Sequence, residues 1–287
     1  MTRVAAVDLG TNSTRLLVAD VDGDHVEPVA RRSVVTRLGE GVDARRRLLP
    51  VPIARVRNVL SDYRREAEAL GVERTLAVAT SAVRDAENGE AFLGEIEWSY
   101  GFTTRLLTGD EEAALTRRGV GKIGAHTLLL DVGGGSTELS TATFQVSLDI
   151  GSVRLDERFP SIDDAAAYID DALPDLEVDD AIGVSGTVHQ LADLAETHDI
   201  SAAEVERWFE TLAALPLEER AALPRMDPAR APAIVAGTLI VRQVLRRYGL
   251  PGIRYSERDI LYGAALEAAA LPEPPEGAAP PGAYTCC

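Results

Sequence analysis

Two segments of this chain repeat the same order of residue types, and this repetition constrains the fold more than any other feature of the sequence. Asp8 to Thr14 and Asp131 to Thr137 each read as an acidic residue, an apolar residue, glycine, two further residues, serine and threonine. Each segment lies between two apolar runs, so each is predicted to be a glycine turn joining two strands. A motif repeated in this way indicates a duplicated module.

The apolar pattern around the two turns predicts that each module is an α/β domain. Up to residue 118 we expect strands at 3–9, 14–20, 26–36, 75–79 and 102–107, and helices at 50–70, 86–100 and from 110 onward. Beyond it we expect strands at 127–132, 137–142, 144–150 and 253–256, and helices at 162–173, 187–196, 202–215, 230–248 and 259–270. The predicted organisation is an N-terminal domain over 1–118, a C-terminal domain over 119–271 and a disordered tail over 272–287, where proline, glycine and alanine dominate.

Composition restricts the function classes. The 46 acidic residues exceed the 29 basic residues, and the formal net charge of −17 argues against binding to double-stranded nucleic acid. No apolar run reaches the roughly 18 residues that a membrane span requires, and the first residues enter a strand pattern without a signal peptide, so a cytoplasmic protein is expected. The two cysteines, Cys286 and Cys287, have no metal-ligand spacing, and the sequence assigns them no role.

The two glycine turns are candidate anion sites. Residues without a large side chain let an anion approach consecutive backbone N–H groups, and serine and threonine hydroxyls add donors. Two such turns, one in each domain, would face each other across a cleft and hold a phosphate from both sides. A single turn of this kind is more often a tight hairpin that binds nothing, but two matched turns, each led by an acidic residue at the end of an apolar strand, favour anion binding.

Five charged residues near the turns have both a chemical and a structural interpretation. Asp131 and Glu138 flank the second turn and suit magnesium, although Asp131 also fits a turn-initiating residue and Glu138 a solvated strand residue. Glu112 and its neighbour Glu111 lie in the first turn of a helix, where the helix dipole alone explains carboxylates, and at most one of them faces a cleft. Arg84 lies between a strand and a helix, where it either binds phosphate or pairs with a nearby acidic residue.

With these residues identified, the chain resembles the exopolyphosphatase and guanosine pentaphosphate phosphatase family, a branch of the actin-like ATPase superfamily. The resemblance runs from about Val4 to Gly263. Five segments carry it in order: Ala6–Ser13, Ala79–Arg84 with Asn88, Thr108–Ala113, Asp131–Glu138 followed by Ile150–Leu155, and Gly183–Thr187. The closing segment Ser256–Gly263 departs from the family pattern, so the resemblance does not extend to a phosphate contact there. The implied fold is the duplicated ribonuclease H-like fold of actin-like ATPases, with two domains and a central cleft.

The resemblance also implies a mechanism and a set of site residues. Glu112 would activate the water that attacks phosphorus in line, and Glu138 would support catalysis as well as metal binding. Arg84 would neutralise neighbouring phosphates. The phosphoryl group would be held by Asn12, Ser13, Gly133, Gly134, Gly135, Ser136 and Thr137. Magnesium, or manganese in its place, would be bound by Asp8, Asp131 and Glu138. A homodimer is expected by the same analogy.

The expected function is therefore the release of terminal phosphate from inorganic polyphosphate or guanosine pentaphosphate. Both substrates end in the same phosphoanhydride, so the sequence does not choose between them, nor does it give a chain-length preference. One alternative is an actin-fold small-molecule kinase, but such enzymes lack a glutamate in a segment like Thr108–Ala113. A second alternative is a sensor that binds polyphosphate or guanosine tetraphosphate without turnover, against which the intact Glu112, Asp131 and Glu138 count.

Overall fold

The computed structural model describes residues 1–272, and the chain divides into two compact units. Unit 1 combines Met1–Gly119 with the segment that begins at Ile260, and unit 2 is Val120–Asp259. Apart from residue 272, the tail predicted at 272–287 lies outside the described residues.

Unit 1 is a five-stranded sheet with helices packed on both faces. Numbered along the whole chain, its elements are β1 (Thr2–Leu9), β2 (Ser13–Asp22), β3 (His25–Val35), α1 (Val42–Arg45), α2 (Pro50–Ala69), β4 (Arg74–Ala79), α3 (Ser81–Arg84), α4 (Gly89–Tyr100), β5 (Thr103–Leu106), α5 (Gly109–Val120) and, far along the chain, α12 (Ile260–Ala270). The strand order is β3-β2-β1-β4-β5; β1 to β3 form an antiparallel meander, and β4 and β5 run parallel to β1.

The central strand β1 is apolar on both faces because each face is covered by helices. Ala5, Val7 and Leu9 belong to a core completed by α2 and α4. Val4 and Ala6 point to the other face and belong to a core completed by α12. This double burial fixes the carboxyl end of β1, where the first glycine turn begins.

Unit 2 repeats this architecture with one additional strand. Its elements are β6 (Thr127–Val132), β7 (Thr137–Ser140), β8 (Gln145–Leu148), α6 (Ser152–Arg158), α7 (Ile162–Ala172), β9 (Asp180–Val184), α8 (Ser185–Ala195), β10 (Asp199–Ser201), α9 (Ala202–Ala214), α10 (Leu217–Ala221), α11 (Ile234–Tyr248) and β11 (Gly252–Tyr255). The strand order is β10-β11-β9-β6-β7-β8. The meander β6-β7-β8 corresponds to β1-β2-β3, and the parallel strands β9 and β11 correspond to β4 and β5.

The same strand order in both units confirms the duplication and the actin-like α/β fold class. The predicted cleft concerns the arrangement of the two units and stays a prediction.

One part of the predicted domain organisation is wrong. The last helix, placed by the sequence in the C-terminal domain, belongs to unit 1. There Leu261, Ala264 and Ala268 are fully buried in the core formed with β1, β2 and β4. The first predicted boundary, after residue 118, lies one residue before the observed end of the first segment at Gly119.

The pattern also failed to predict several short elements, namely α1, α3, α6, β9, β10 and α10.

Among residues 1–272, none of the helices combines the length and the apolar character needed to span a bilayer.

Candidate functional site

The first glycine turn, in unit 1, presents several hydrogen-bond donors without internal partners. The turn is closed by the amide of Gly10, which donates to the carbonyl of Ser13 at 3.1 Å. Within the described part of the chain, the amides of Thr11 and Asn12 and the side-chain amide of Asn12 donate to nothing, and the buried hydroxyl of Ser13 has no hydrogen-bond partner. The structure therefore gathers the predicted residues Asn12 and Ser13 into one cluster of donors that suits an anion.

The same turn is backed by the segment that follows β3. The amides of Thr36 and Arg37 donate to the carbonyl of Asn12, and the amide of Gly39 donates to the carbonyl of Thr11. The hydroxyl of Thr11 accepts a hydrogen bond from the amide of Ala82 at the start of α3. These bonds fix the turn from behind.

Asp8, predicted as a metal ligand, lies opposite Arg15 in the register of β1 and β2. Arg15 donates to Asp8 Oδ2 from Nε at 2.8 Å and from Nη2 at 2.6 Å, and both side chains are largely buried. Arg15 was not identified from the sequence, although comparison of the two repeats would have revealed it, since it occupies the position that Glu138 holds in the second one. One oxygen of Asp8 is thus already engaged by a cation of the protein.

Glu111 and Glu112 have different surroundings at the start of α5. Glu111 Oε2 accepts hydrogen bonds from the amide and the hydroxyl of Thr108. In return, the amide of Glu111 donates to the hydroxyl oxygen of Thr108. These reciprocal bonds form a capping box at the start of the helix. The Thr108 amide, together with Arg105 and the Thr108 hydroxyl, lowers the pKa of Glu111 to about 2. Glu111 therefore serves the helix end.

Glu112, by contrast, is buried and faces Arg84. Arg84 Nη1 donates to Glu112 Oε2 at 3.2 Å and to the carbonyl of Leu107 at 2.8 Å. Its Nε and Nη2 groups donate to no atom of residues 1–272. The structure thus places the two predicted residues Arg84 and Glu112 in contact within unit 1. The side chain of Asn88, in contrast, is hydrogen-bonded to the amide and the carbonyl of Leu48.

The second glycine turn, in unit 2, has the same closure. The amide of Gly133 donates to the carbonyl of Ser136 at 3.0 Å, as Gly10 does to Ser13. The next three amides, those of Gly134, Gly135 and Ser136, donate to no described atom. Three consecutive donors of this kind form a backbone nest for an anion.

Two residues predicted to bind phosphate do not fit this geometry. The Thr137 hydroxyl donates to the carbonyl of Ile150 at 2.6 Å, so its proton is already used. The Gly133 amide closes the turn, so it is not available either. Both residues shape the loop instead.

The carboxylates of Asp131 and Glu138 lie opposite each other in the register of β6 and β7, and both residues are buried. The hydroxyl of Ser147 donates to Glu138 Oε1 at 2.7 Å. Among the described residues, no cluster of three or more histidine, cysteine, aspartate or glutamate side chains has an arrangement that could hold a metal ion by itself. Two carboxylates, however, satisfy magnesium when phosphate oxygens and water complete its shell.

The third glycine-rich segment lies beside the second turn. Ser185 Oγ donates to the carbonyl of Val132 at 2.8 Å, and Thr187 Oγ1 does so at 3.3 Å. Arg230, which the sequence did not single out, lies against Gly186, where a Cβ would overlap its guanidinium group. The contact between Arg230 and Gly186 was not predictable from the sequence, because Arg230 lies far along the chain from every glycine-rich motif.

Comparison with protein families identifies the class first. The model of the Ppx/GppA phosphatase family matches residues 17–259. The chain is therefore a phosphohydrolase built on the duplicated actin-like fold.

Individual relatives agree with that class. The sequence is 35% identical to exopolyphosphatase 2 of Mycobacterium tuberculosis, over 94% of this chain and 99% of that protein. The fold superposes on the crystal structure of an exopolyphosphatase-like protein with a TM-score of 0.86 and 30% identity, covering 93% of this chain and 97% of the other. The Aquifex aeolicus member of the Ppx/GppA family gives a TM-score of 0.74 at 26% identity, with 94% and 98% covered. This chain belongs to the Ppx/GppA phosphatase family.

Proposed function

We propose that this enzyme releases the terminal phosphate of inorganic polyphosphate or guanosine pentaphosphate by magnesium-assisted attack of water on phosphorus. The observation that carries the proposal is that the two adjacent glutamates of α5 have different partners. The carboxylate of Glu111 is hydrogen-bonded within the helix cap, whereas the carboxylate of Glu112 is buried beside Arg84. A buried carboxylate with no role in a helix cap suits a general base.

The guanidinium of Arg84 is able to serve the base and the substrate together. Nη1 holds Glu112 and the Leu107 carbonyl, and Nε and Nη2 remain available for phosphate oxygens. Arginine suits this task because its donors form a rigid planar fork. Arg84 therefore orients the base and offsets charge on the substrate.

The glycine turns supply the electrostatic part of the mechanism. In unit 1 the donors are the amides of Thr11 and Asn12, the Asn12 side chain and the Ser13 hydroxyl; in unit 2 they are the amides of Gly134, Gly135 and Ser136. Phosphoryl transfer passes through a loose transition state whose charge lies on the phosphoryl oxygens, so fixed donors at those oxygens lower the barrier.

The residues of unit 2 fit a magnesium ion better than those of unit 1. Asp131 and Glu138 offer two buried carboxylates at facing positions, whereas the equivalent positions in unit 1 hold the ion pair of Asp8 and Arg15. Carboxylate oxygens are the ligands magnesium prefers. We therefore assign Asp131 and Glu138 as its ligands, and Asp8 to the ion pair. When bound, the ion neutralises charge on the phosphate oxygens.

One assay tests the proposal directly. Phosphate release is measured from polyphosphates of graded length and from guanosine pentaphosphate, each with magnesium and with chelator. We expect magnesium-dependent release from at least one substrate series. Tight binding of these compounds without any release would establish the sensor alternative instead. The expected cytoplasmic location and homodimer stay predictions.

A further inference from the structure

The carbonyl groups of the three glycines in the second turn, Gly133 to Gly135, are all engaged by one short segment, the start of α6. The amide and hydroxyl of Ser152 donate to the carbonyl of Gly133, at 3.0 and 3.2 Å. The amides of Val153 and Arg154 donate to the carbonyl of Gly134, at 2.8 and 3.1 Å. The unsatisfied N–H groups of the helix start thereby find their partners in the loop.

The third carbonyl, that of Gly135, is bound by a side chain. Arg154 is buried, with 8% of its surface exposed, and its Nε donates to Gly135 at 2.7 Å. Burial of a guanidinium group carries a large desolvation cost, so this arginine is an unusual choice for a position that only needs to fill space.

These bonds determine where the loop amides point. In a planar trans peptide, the C=O of one residue and the N–H of the next lie on opposite sides of the chain. The carbonyls of Gly133, Gly134 and Gly135 therefore orient the amides of Gly134, Gly135 and Ser136, which are the three donors without a partner among the described residues. Because glycine has wide conformational freedom, these peptide planes would otherwise rotate.

We propose that Arg154 is a positioning residue, which holds the Gly135 carbonyl so that the Ser136 amide faces the phosphoryl group. The assignment rests on the proposed function for its catalytic consequence. The first two peptide planes are held by backbone donors of α6, but the third depends on this guanidinium. Loss of Arg154 therefore weakens one donor in the anion nest and leaves the other two oriented.

The test compares Arg154→Met with Arg154→Lys and with a matched control, Arg220→Met. Arg220 also bonds backbone carbonyls in unit 2, those of Leu212, Leu215 and Ala231, but none in the loop. Arg154→Met should lower kcat by about 10²-fold with a smaller change in KM, the effect expected when one oxyanion donor is lost. Arg154→Lys, which keeps a positively charged donor group, should recover part of kcat, and Arg220→Met should keep the wild-type kcat while losing thermal stability.

A second measurement is independent of turnover. Inorganic phosphate is titrated into the ¹⁵N-labelled full chain, and the amide resonances of Gly134, Gly135 and Ser136 are followed. We expect all three to shift in the wild type and in Arg220→Met, and the Ser136 shift to be lost in Arg154→Met. If the wild type hydrolyses no phosphoanhydride but the Ser136 shift still depends on Arg154, the proposed function fails and the positioning role stands. An unchanged Ser136 shift in Arg154→Met, or wild-type loop amides that do not respond to phosphate, would overturn the positioning role.

Discussion

At the scale of single residues, Glu111 and Glu112 show how one helix turn gives identical side chains different tasks. Adjacent helical positions point about 100° apart, so only one of the two can face the core of unit 1. Thr108 and Arg105 bind Glu111, and Arg84 binds Glu112. The sequence indicated that the two would differ, but the capping box and Arg84 were needed to show how.

We expect Glu112→Gln to lower kcat by about 10² to 10⁴-fold, because an amide cannot accept the proton of the attacking water. The neighbouring variant Glu111→Gln is the control, since it changes the same charge one residue away. It should keep wild-type kcat. Steady-state phosphate release from the preferred substrate measures both, and wild-type turnover in Glu112→Gln would assign the base to another residue.

The two hairpins predict different responses to metal. Glu138→Gln removes one proposed magnesium ligand, so the magnesium concentration for half-maximal activity should rise by about tenfold or more, within the range that loss of a metal-site group causes. Asp8→Asn should leave this concentration unchanged but lower the free energy of unfolding, because Arg15 loses its buried partner. Magnesium titrations and urea unfolding separate the two effects. An equal rise in the magnesium requirement for Asp8→Asn would return Asp8 to the metal site.

At the scale of secondary-structure elements, α6 was not predicted because its seven residues are too few to show helical periodicity. Its position instead depends on close approach to the glycine turn. A Cβ on Gly151 would overlap backbone atoms of Gly134 and Gly135, so only glycine lets the helix start lie this near. The sequence carried the glycine, but the contact that requires it appears only in the fold.

Two glycine-to-alanine variants test this contact with the same added methyl group. Gly151→Ala should destabilise the protein by about 1–3 kcal/mol, because well-packed backbone must shift. It should also lower kcat, because the shift displaces the second glycine turn. Gly94 lies in the interior of α4 with no atom near its missing Cβ, so Gly94→Ala should instead stabilise by up to about 1 kcal/mol. Thermal unfolding and kcat are the measurements. A Gly151→Ala variant with wild-type stability and kcat would show that the loop tolerates displacement.

The capping box of α5 predicts a pH dependence. Hydrogen bonds from Thr108, aided by Arg105, depress the pKa of Glu111 from its ordinary 4.5 to about 2. A depressed carboxyl pKa contributes stability that is fully present above pH 4.5 and is lost as the pH falls toward 2. Glu111→Gln lacks this contribution, so the stability difference from the wild type should shrink between pH 6 and pH 3. Urea unfolding at the two pH values measures it, and a difference that stays constant would mean that Glu111 gains nothing from its charge.

At the scale of the whole molecule, the sequence predicted the duplication well and the assignment of the last helix badly. The strands β1, β2, β6 and β7 were evident from apolar runs that end at glycine turns. Strand β9 was not, because its five residues follow an acidic, proline-containing stretch. The place of α12 could not be predicted at all, since its partners Val4 and Ala6 lie at the opposite end of the chain.

The return of α12 to unit 1 gives a prediction about folding. Residues 120–259 form a continuous chain with its own sheet and core, so this fragment should unfold cooperatively in urea by itself. Residues 1–119 alone should not, because one face of β1, β2 and β4 loses the helix that covers it.

Joining residues 260–272 to residue 119 through a flexible Gly/Ser linker should restore cooperative unfolding. The same fusion carrying Leu261→Asp is the control and should fail, because it places a charge in that core. Cooperative unfolding of 1–119 alone, followed by circular dichroism, would show that α12 is dispensable for unit 1.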